Sequence, residues 1–317
     1  MLPYRLMVDP TRDIILAGPT ASGKTALAVA LAQQYNTVVV NADSMQVYSD
    51  LQYLNARPDL QEMQGVPHFL FGHVDGTESY SVGRWLQEVA ALREDYPKTR
   101  MVFCGGTGLY LKALVEGFTD TPMISAKIRA QVAGDYAQMA HEDFVADLIE
   151  REPEAFAHLE QVPDYQRTIR AAEVIYATDK PLIYWHREHH IRPLLPDAYQ
   201  IALVPERAKL YERIDARCAQ ILPRALEEVS ALCQRNLRQN QSIMRCIGVT
   251  TLTQFLSGDL SEAATLEFLS RDTRRYAKRQ MTWLKHQMRP DCVESEFGAA
   301  IAVEKFADSG LGMLSLS

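Results

Sequence analysis

Eight residues constrain this chain more than any others. Residues 18–25, Gly-Pro-Thr-Ala-Ser-Gly-Lys-Thr, match the pattern GxxxxGK[ST]. A short apolar run, Arg12–Ala17 (RDIILA), precedes them, and an alanine- and leucine-rich helical pattern, Thr25–Tyr35, follows. Strand, loop, then helix is the context a phosphate-binding loop requires. Gly18 and Gly23 let the backbone of Pro19, Thr20, Ala21 and Ser22 curl so that its N–H groups, which Pro19 lacks, point at phosphate oxygens. The helix N-terminus adds a favourable dipole. Lys24 supplies a point charge, and Thr25 a hydroxyl for Mg²⁺. The motif reports a di- or triphosphate, whether or not a nucleotide carries it.

Three further apolar runs are bounded by turn residues: Thr37–Val40, Arg100–Cys104 and Tyr199–Val204. They read as buried parallel strands, and helical patterns such as Ser81–Asp95 separate them. The alternation predicts an α/β fold, a P-loop NTPase-like parallel sheet covered by helices. From about 118 to 198 only helical spacing appears (143–150, 164–178, 182–190), punctuated by prolines 122, 163, 193 and 196. The expected organisation is a core of residues 1–117 and 199–317 with a helical insertion at 118–198. A long helix follows Pro205 with Leu210, Ile214, Cys218, Ile221, Ala225, Val229 and Leu232 on one face, and Pro223 is expected to kink it. A last helix is expected at about Ser261–Gln287.

Two motifs close the predicted strands. Asn41-Ala-Asp43-Ser44-Met45-Gln46 ends the second strand. Ligand sites in open α/β sheets lie outside the carboxyl ends of strands, which sets Asp43 beside the phosphate loop. There it could take a proton or hold Mg²⁺ through water; the alternative is a helix N-cap. Gly105-Gly106-Thr107-Gly108 ends the third strand, where many nucleotide hydrolases carry an acidic residue. Two glycines suggest close approach to a ligand, with Thr107 donating to phosphate, or else a plain tight turn. Arg167 and Arg170 share a helix face and could grip phosphates, or be solvated surface. His186, His189 and His190 match no zinc spacing and read as a surface cluster.

Charge sharpens the choice of partner. Lys and Arg total 33 against 40 Asp and Glu, a net charge of −7. Residues 271–289 nonetheless carry seven Lys/Arg and one Asp, leaving −13 for the rest. Such a run in an acidic chain is either a solvated face or an RNA contact. The five cysteines are dispersed without a CxxC pair, which fits a reducing cytoplasm and neither zinc module nor disulfide framework. The longest apolar run, Ala26–Ala32, is seven residues, far from a membrane span, and the N-terminus shows no secretion signal.

Together the strings GPTASGKT, ADSMQVY, NARPD…VPHFL, YSVGRW, GGTGLYLKAL, DYQRTIRAAEV, MRCIG and TRRYAKRQMTWL resemble the bacterial tRNA dimethylallyltransferases, in family order across nearly the whole chain. The resemblance implies transfer of a dimethylallyl group from dimethylallyl diphosphate to N6 of the adenosine 3′ of the anticodon. It implies that the phosphate loop holds the donor's diphosphate rather than ATP, with Mg²⁺, and that Asp43 is the general base. By the same resemblance, Lys24 and Thr107 belong to the catalytic set and Arg217 helps hold the diphosphate. Ser44, Met45, Gln46, Thr107, Arg129, Gln166, Arg167, Thr168, Ile169 and Arg170 fall on tRNA-binding positions, as do Arg245, Cys246, Ile247, Gly248, Val249 and Thr250. The chain departs from the family where Val249 replaces a tyrosine, where Ala225-Leu226 replaces Gly-Leu, and where NARPD replaces a commoner T-A-K-P string. A monomer is expected.

The chemistry agrees with that reading. The adenine N6 lone pair is delocalised, so a carboxylate accepting its proton would help by roughly 10²–10⁴-fold. Diphosphate leaves once N–H donors, Lys24 and Mg²⁺ neutralise it. The base must be splayed from its stack, with Tyr48, Tyr110 and Trp283 as stacking or core residues. Two other readings stand beside it. A small-molecule kinase binding ATP would use the same loop and Asp43, and a non-catalytic RNA-binding protein would need neither.

Overall fold

The computed structural model describes residues 5–6, 11–119, 121, 124–156, 163–298 and 302–303. Pro122, one of the predicted breakpoints, lies outside the described residues. Among the described residues six strands form one sheet: β1 (Ile14–Ala17), β2 (Val38–Asn41), β3 (His68–Phe69), β4 (Met101–Gly105), β5 (Tyr199–Leu203) and β6 (Cys292–Glu294). Their order is β3-β2-β4-β1-β5-β6, and every pairing is parallel. Central strands are buried on both faces, so they read in the sequence as continuous apolar runs rather than alternating ones. Ile14, Leu16, Val39, Val102, Ile201 and Leu203 meet Leu27, Ala28 and Leu31 of helix α1 (Lys24–Tyr35) on one of those faces.

The edge strands β3 and β6 went undetected because they hold two and three residues and carry His68, Cys292 and Glu294. Pairing rather than hydrophobicity defines them. At β6, the neighbouring Asp291 carboxylate accepts the Gln200 N–H at 2.8 Å.

The chain divides into two compact units, residues 1–115 with 194–317, and residues 116–193. The second unit has its own core of Val132, Phe144, Leu148, Ala155, Ala172 and Ile175. It holds helices α4 (Ala126–Tyr136), α5 (His141–Arg151), α6 (Tyr165–Thr178) and α7 (Leu182–Glu188). The expectation that this stretch lacks strands is corrected: Phe118–Thr119 pairs antiparallel with His190–Ile191. Two-residue strands leave no periodicity to read. In the same unit His190 Nε2 is 2.9 Å from the Glu116 carbonyl.

In the first unit, helix α2 (Val82–Asp95) starts where Ser81 accepts the Arg84 N–H at 3.2 Å. Helix α3 (Gly108–Glu116) follows β4 beyond the expected helices. Helix α8 (Arg207–Gln234) continues through Pro223 as one 28-residue element. Both Pro223 and Ala219, whose carbonyl loses its N–H partner to the proline, are exposed, so water can satisfy that carbonyl. Its buried face carries Leu222 in place of the expected Ile221, which packs only partly against the core. Helices α9 (Val249–Leu256) and α10 (Glu262–Gln287) complete that cluster. No helix of the described residues is long and apolar enough to cross a membrane.

Candidate active site

Beyond β1 the chain turns through residues 18–23 into α1. Two left-handed residues make the turn, Gly23 at φ +83° and Ala21 at φ +63°. An alanine in that region costs roughly 1–2 kcal/mol, and such strain is typically kept where a loop must present its N–H groups inward. Gly18 plays a different part from the one expected. It does not adopt positive φ; a Cβ there would lie 2.8 Å from Ser22 Oγ and 3.0 Å from Leu203 Cβ. Ser22 is fully buried, and its hydroxyl lacks a hydrogen-bond partner among the described residues. Lys24 Nζ donates to the Pro19 carbonyl at 2.7 Å, folding its ammonium back over the loop. Burial lowers the Lys24 pKa; the charges of Cys104 and Asp43 oppose this, and Arg217 adds to it.

Asp43 follows β2. Its backbone is fixed by Asn41, whose Oδ1 accepts the Asp43 N–H at 2.8 Å and whose Nδ2 donates to the Asp43 carbonyl at 2.9 Å. One carboxylate oxygen accepts the Met45 N–H at 2.9 Å. Burial raises the carboxyl above its ordinary value, while the Met45 N–H, the Lys24 ammonium and the Gln46 N–H pull it back. Asp43 is therefore a loop residue facing Lys24 electrostatically, not an N-cap. Thr107 Oγ1 accepts the Ser44 N–H at 3.0 Å, tying the loop after β4 to Asp43's segment. Gln46 and Asn55 exchange bonds across the same wall: Gln46 Nε2 donates to the Asn55 and Ala56 carbonyls at 3.1 and 3.0 Å, and Asn55 Nδ2 to the Met45 carbonyl at 2.9 Å.

The glycines at the end of β4 were expected to admit a ligand. Instead they admit the protein itself. A Cβ on Gly105 would stand 2.1 Å from the Ala42 carbonyl oxygen, and one on Gly106 2.1 Å from Gln280 Nε2.

One cavity of about 1000 Å³ joins these pieces within the first unit. Lys24 and Thr25 line it, as do Asp43, Ser44, Met45 and Gln46, and so does Arg217 of α8. Arg217 Nη2 donates to the Tyr53 carbonyl at 3.0 Å, and burial lowers its pKa. Sequence reasoning missed three contributors. Glu228 on α8 accepts the N–H groups of Gln52, Tyr53 and Leu54 at 2.8, 2.9 and 3.1 Å, fixing one wall. Tyr276 on α10 lines the cavity and shares a hydrogen bond with Thr107, its pKa raised by burial and by Asp43. Gln280 accepts the Thr20 N–H at 2.8 Å. The last two lie inside the TRRYAKRQMTWL string, whose pattern is dominated by its charges.

Among the remaining expected tRNA-binding residues, Arg245, Cys246 and Ile247 line the same cavity. Thr250 is exposed, whereas Cys246, Gly248 and Val249 are buried. Gly248, at φ +96°, turns the chain so that Val249 enters the core. Thr168 on α6 is likewise fully buried within the second unit, while Cys246, though buried, belongs to the cavity wall. Gln166, Arg167, Ile169 and Arg170 (all on α6), with Arg129 on α4, belong to the second unit. Arg170 bonds Thr121 and sits 3.4 Å from Glu173, while Arg129 and Arg167 are exposed. Tyr48 and Tyr110 are 1% and 4% exposed, so both are core residues rather than stacking platforms. Trp283 is half-buried against Gly108. On the α10 basic run, Arg274 pairs with Asp215 at 2.5 Å, whereas Arg275, Lys278, Arg279 and Lys285 are exposed.

For a divalent cation, the described residues hold no cluster of three or more His, Cys, Asp or Glu side chains. The donors present, the Thr25 hydroxyl and the Asp43 carboxylate, suit Mg²⁺, which keeps several waters and takes its remaining oxygens from a substrate phosphate.

Comparisons with known proteins converge. The family model described as IPP transferase matches residues 46–287, and one described as isopentenyl transferase matches residues 12–77. The tRNA dimethylallyltransferase of Azorhizobium caulinodans is 44% identical over 287 residues, covering 88% of this chain and 90% of that protein. That of Rhizobium meliloti is 42% identical over 292 residues, covering 89% and 95%. A full-length tRNA isopentenylpyrophosphate transferase structure from Bacillus halodurans aligns with a TM-score of 0.64 at 29% identity over 90% of each chain. A eukaryotic dimethylallyltransferase captured acting on tRNA aligns at 0.73 and 28% identity, over 92% of this chain and 73% of that one.

Proposed function

The chain belongs to the IPP transferase family, and from that premise we propose that it is a tRNA dimethylallyltransferase. Its reaction moves a dimethylallyl group from dimethylallyl diphosphate to N6 of the adenosine 3′ of the anticodon. The observation that carries the reading is the single cavity onto which a phosphate loop, Arg217 and Asp43 all open. A volume of about 1000 Å³ has room for a five-carbon diphosphate and an extruded base together.

In this reading Lys24, Arg217 and the loop N–H groups other than those of Thr20 and Ser22, which bond Gln280 Oε1 and the Pro19 carbonyl, bind the diphosphate. Lys24, desolvated yet facing Asp43, places its charge where the leaving group gains negative charge. N6 attacks C1 of the dimethylallyl group; the C1–O bond breaks, and its electron pair leaves on diphosphate. Asp43 accepts the N6 proton. The Met45 N–H holds one Asp43 oxygen, which leaves the other to face the base. Mg²⁺, held by Thr25 and by Asp43 through water, would supply charge neutralisation for the diphosphate when bound. In the first unit Arg245, on the cavity wall, and the exposed Thr250 are read as tRNA contacts; in the second unit, read as an insertion domain, Arg129, Gln166, Arg167, Ile169 and Arg170 are. A cytoplasmic monomer fits the reduced cysteines of the first unit.

The test uses labelled dimethylallyl diphosphate, Mg²⁺ and unmodified tRNA. Label is expected on adenosine, without any ATP. Label transfer that requires ATP, or phosphorylation of a small acceptor in its place, would overturn the reading in favour of a kinase.

A further inference from the structure

Gln280 sits on the buried side of α10 at 6% exposure, and its amide reaches two loops at once. Its Oε1 accepts the Thr20 N–H at 2.8 Å, and its Nε2 donates to the Gly106 carbonyl at 3.1 Å. The backbone partners fix the amide's orientation, because an N–H must face the oxygen and a carbonyl the NH₂. Thr20 belongs to the phosphate loop. Gly106 precedes Thr107, whose hydroxyl accepts the N–H of Ser44, the neighbour of Asp43. The missing side chain at 106 is what makes room for the amide, since a Cβ there would stand 2.1 Å from Nε2. Few side chains other than a primary amide present an acceptor and a donor on one rigid plane, and this one is nearly withdrawn from water, where both bonds are costly to lose.

We infer that Gln280 is a positioning residue that sets the separation between the diphosphate-binding loop and the segment carrying Asp43. The meaning of the two loops rests on the function proposed above. Gln280 lines the cavity, but both polar atoms of its amide are engaged by backbone. It holds the donor's leaving group and the proton acceptor in register through backbone that it clamps on both sides.

The two contacts make a specific prediction about Gly106. The atom in the way of a new methyl is the far end of the Gln280 side chain; the next, the Gly18 carbonyl oxygen at 3.0 Å, needs little adjustment. Gly106→Ala therefore acts by expelling the amide from both of its bonds. It should mimic Gln280→Ala, and the double variant should be no worse than the worse single one.

The experiment measures three quantities for the full chain and the three variants: affinity for inorganic diphosphate by calorimetry, steady-state transfer kinetics, and tRNA affinity. Loss of two buried hydrogen bonds should weaken diphosphate binding and lower kcat by about tenfold or more in each variant. The Kd for tRNA should stay within about twofold, a selectivity that general loosening would not give. Effects that multiply in the double variant, or a Gln280→Ala protein within about twofold of wild type, would overturn the inference. Weakened diphosphate binding in Gln280→Ala, alongside a wild type that transfers no prenyl group, would overturn the proposed function while supporting this inference.

Discussion

Replacing Gly105 by alanine should damage the fold and the chemistry together. The new Cβ would lie 2.1 Å from the Ala42 carbonyl oxygen and 2.8 Å from its Cα, both main-chain atoms. Real Cβ atoms do not come closer than 3.0 Å, so the carbonyl must retreat by about 0.9 Å. Two bonds depend on the backbone of Ala42: its N–H to the Cys104 carbonyl at 2.9 Å, and Thr107 N–H to its carbonyl at 3.4 Å. Overpacking costs roughly 1–3 kcal/mol and each of the two backbone bonds about 1 kcal/mol, so urea unfolding should show a loss of about 3–5 kcal/mol. Asp43 is the next residue. A displacement near 1 Å in a catalytic group costs up to about 10²-fold, so single-turnover transfer should slow by that order in protein that remains folded. A folded Gly105→Ala variant with a rate within about threefold of wild type would refute the reasoning, because Asp43 would then tolerate the shift.

Two other expectations follow from the wall and the base. Glu228→Ala removes one carboxylate from three backbone donors and should destabilise the protein by about 2–4 kcal/mol in denaturant unfolding; an unchanged midpoint would show that water replaces it without loss. Burial raises Asp43, and it accepts a proton only when ionised, so kcat/KM should fall with falling pH along an acid limb above the ordinary aspartate value; a limb at that ordinary value would contradict the assignment.

The central strands and the phosphate loop were legible because β1, β2, β4 and β5 are buried on both faces and leave continuous apolar runs. Helix starts were legible where side chains cap them, as at Ser81, Asp164 and Ser261. What stayed hidden has no local signature. β3 and β6 exist through pairing, and Glu228 acts across 174–176 positions of sequence. The glycines at 105 and 106 were read as facing a ligand, whereas Ala42 and Gln280, distant in sequence, fill the space in front of them. The buried Val249 shows the same limit: a position that departs from the family pattern points into the core, which no residue-by-residue reading distinguishes from a surface contact.

The central claim is that Asp43 is the base acting on a donor held by the phosphate loop. Single-turnover transfer of a dimethylallyl group to saturating unmodified tRNA, measured for wild type and Asp43→Asn, tests it most directly. Asparagine keeps an acceptor for the Met45 N–H but takes no proton. The account predicts a rate lower by about 10²–10⁴-fold with tRNA and diphosphate affinities within about threefold of wild type. A rate within about tenfold of wild type would contradict it.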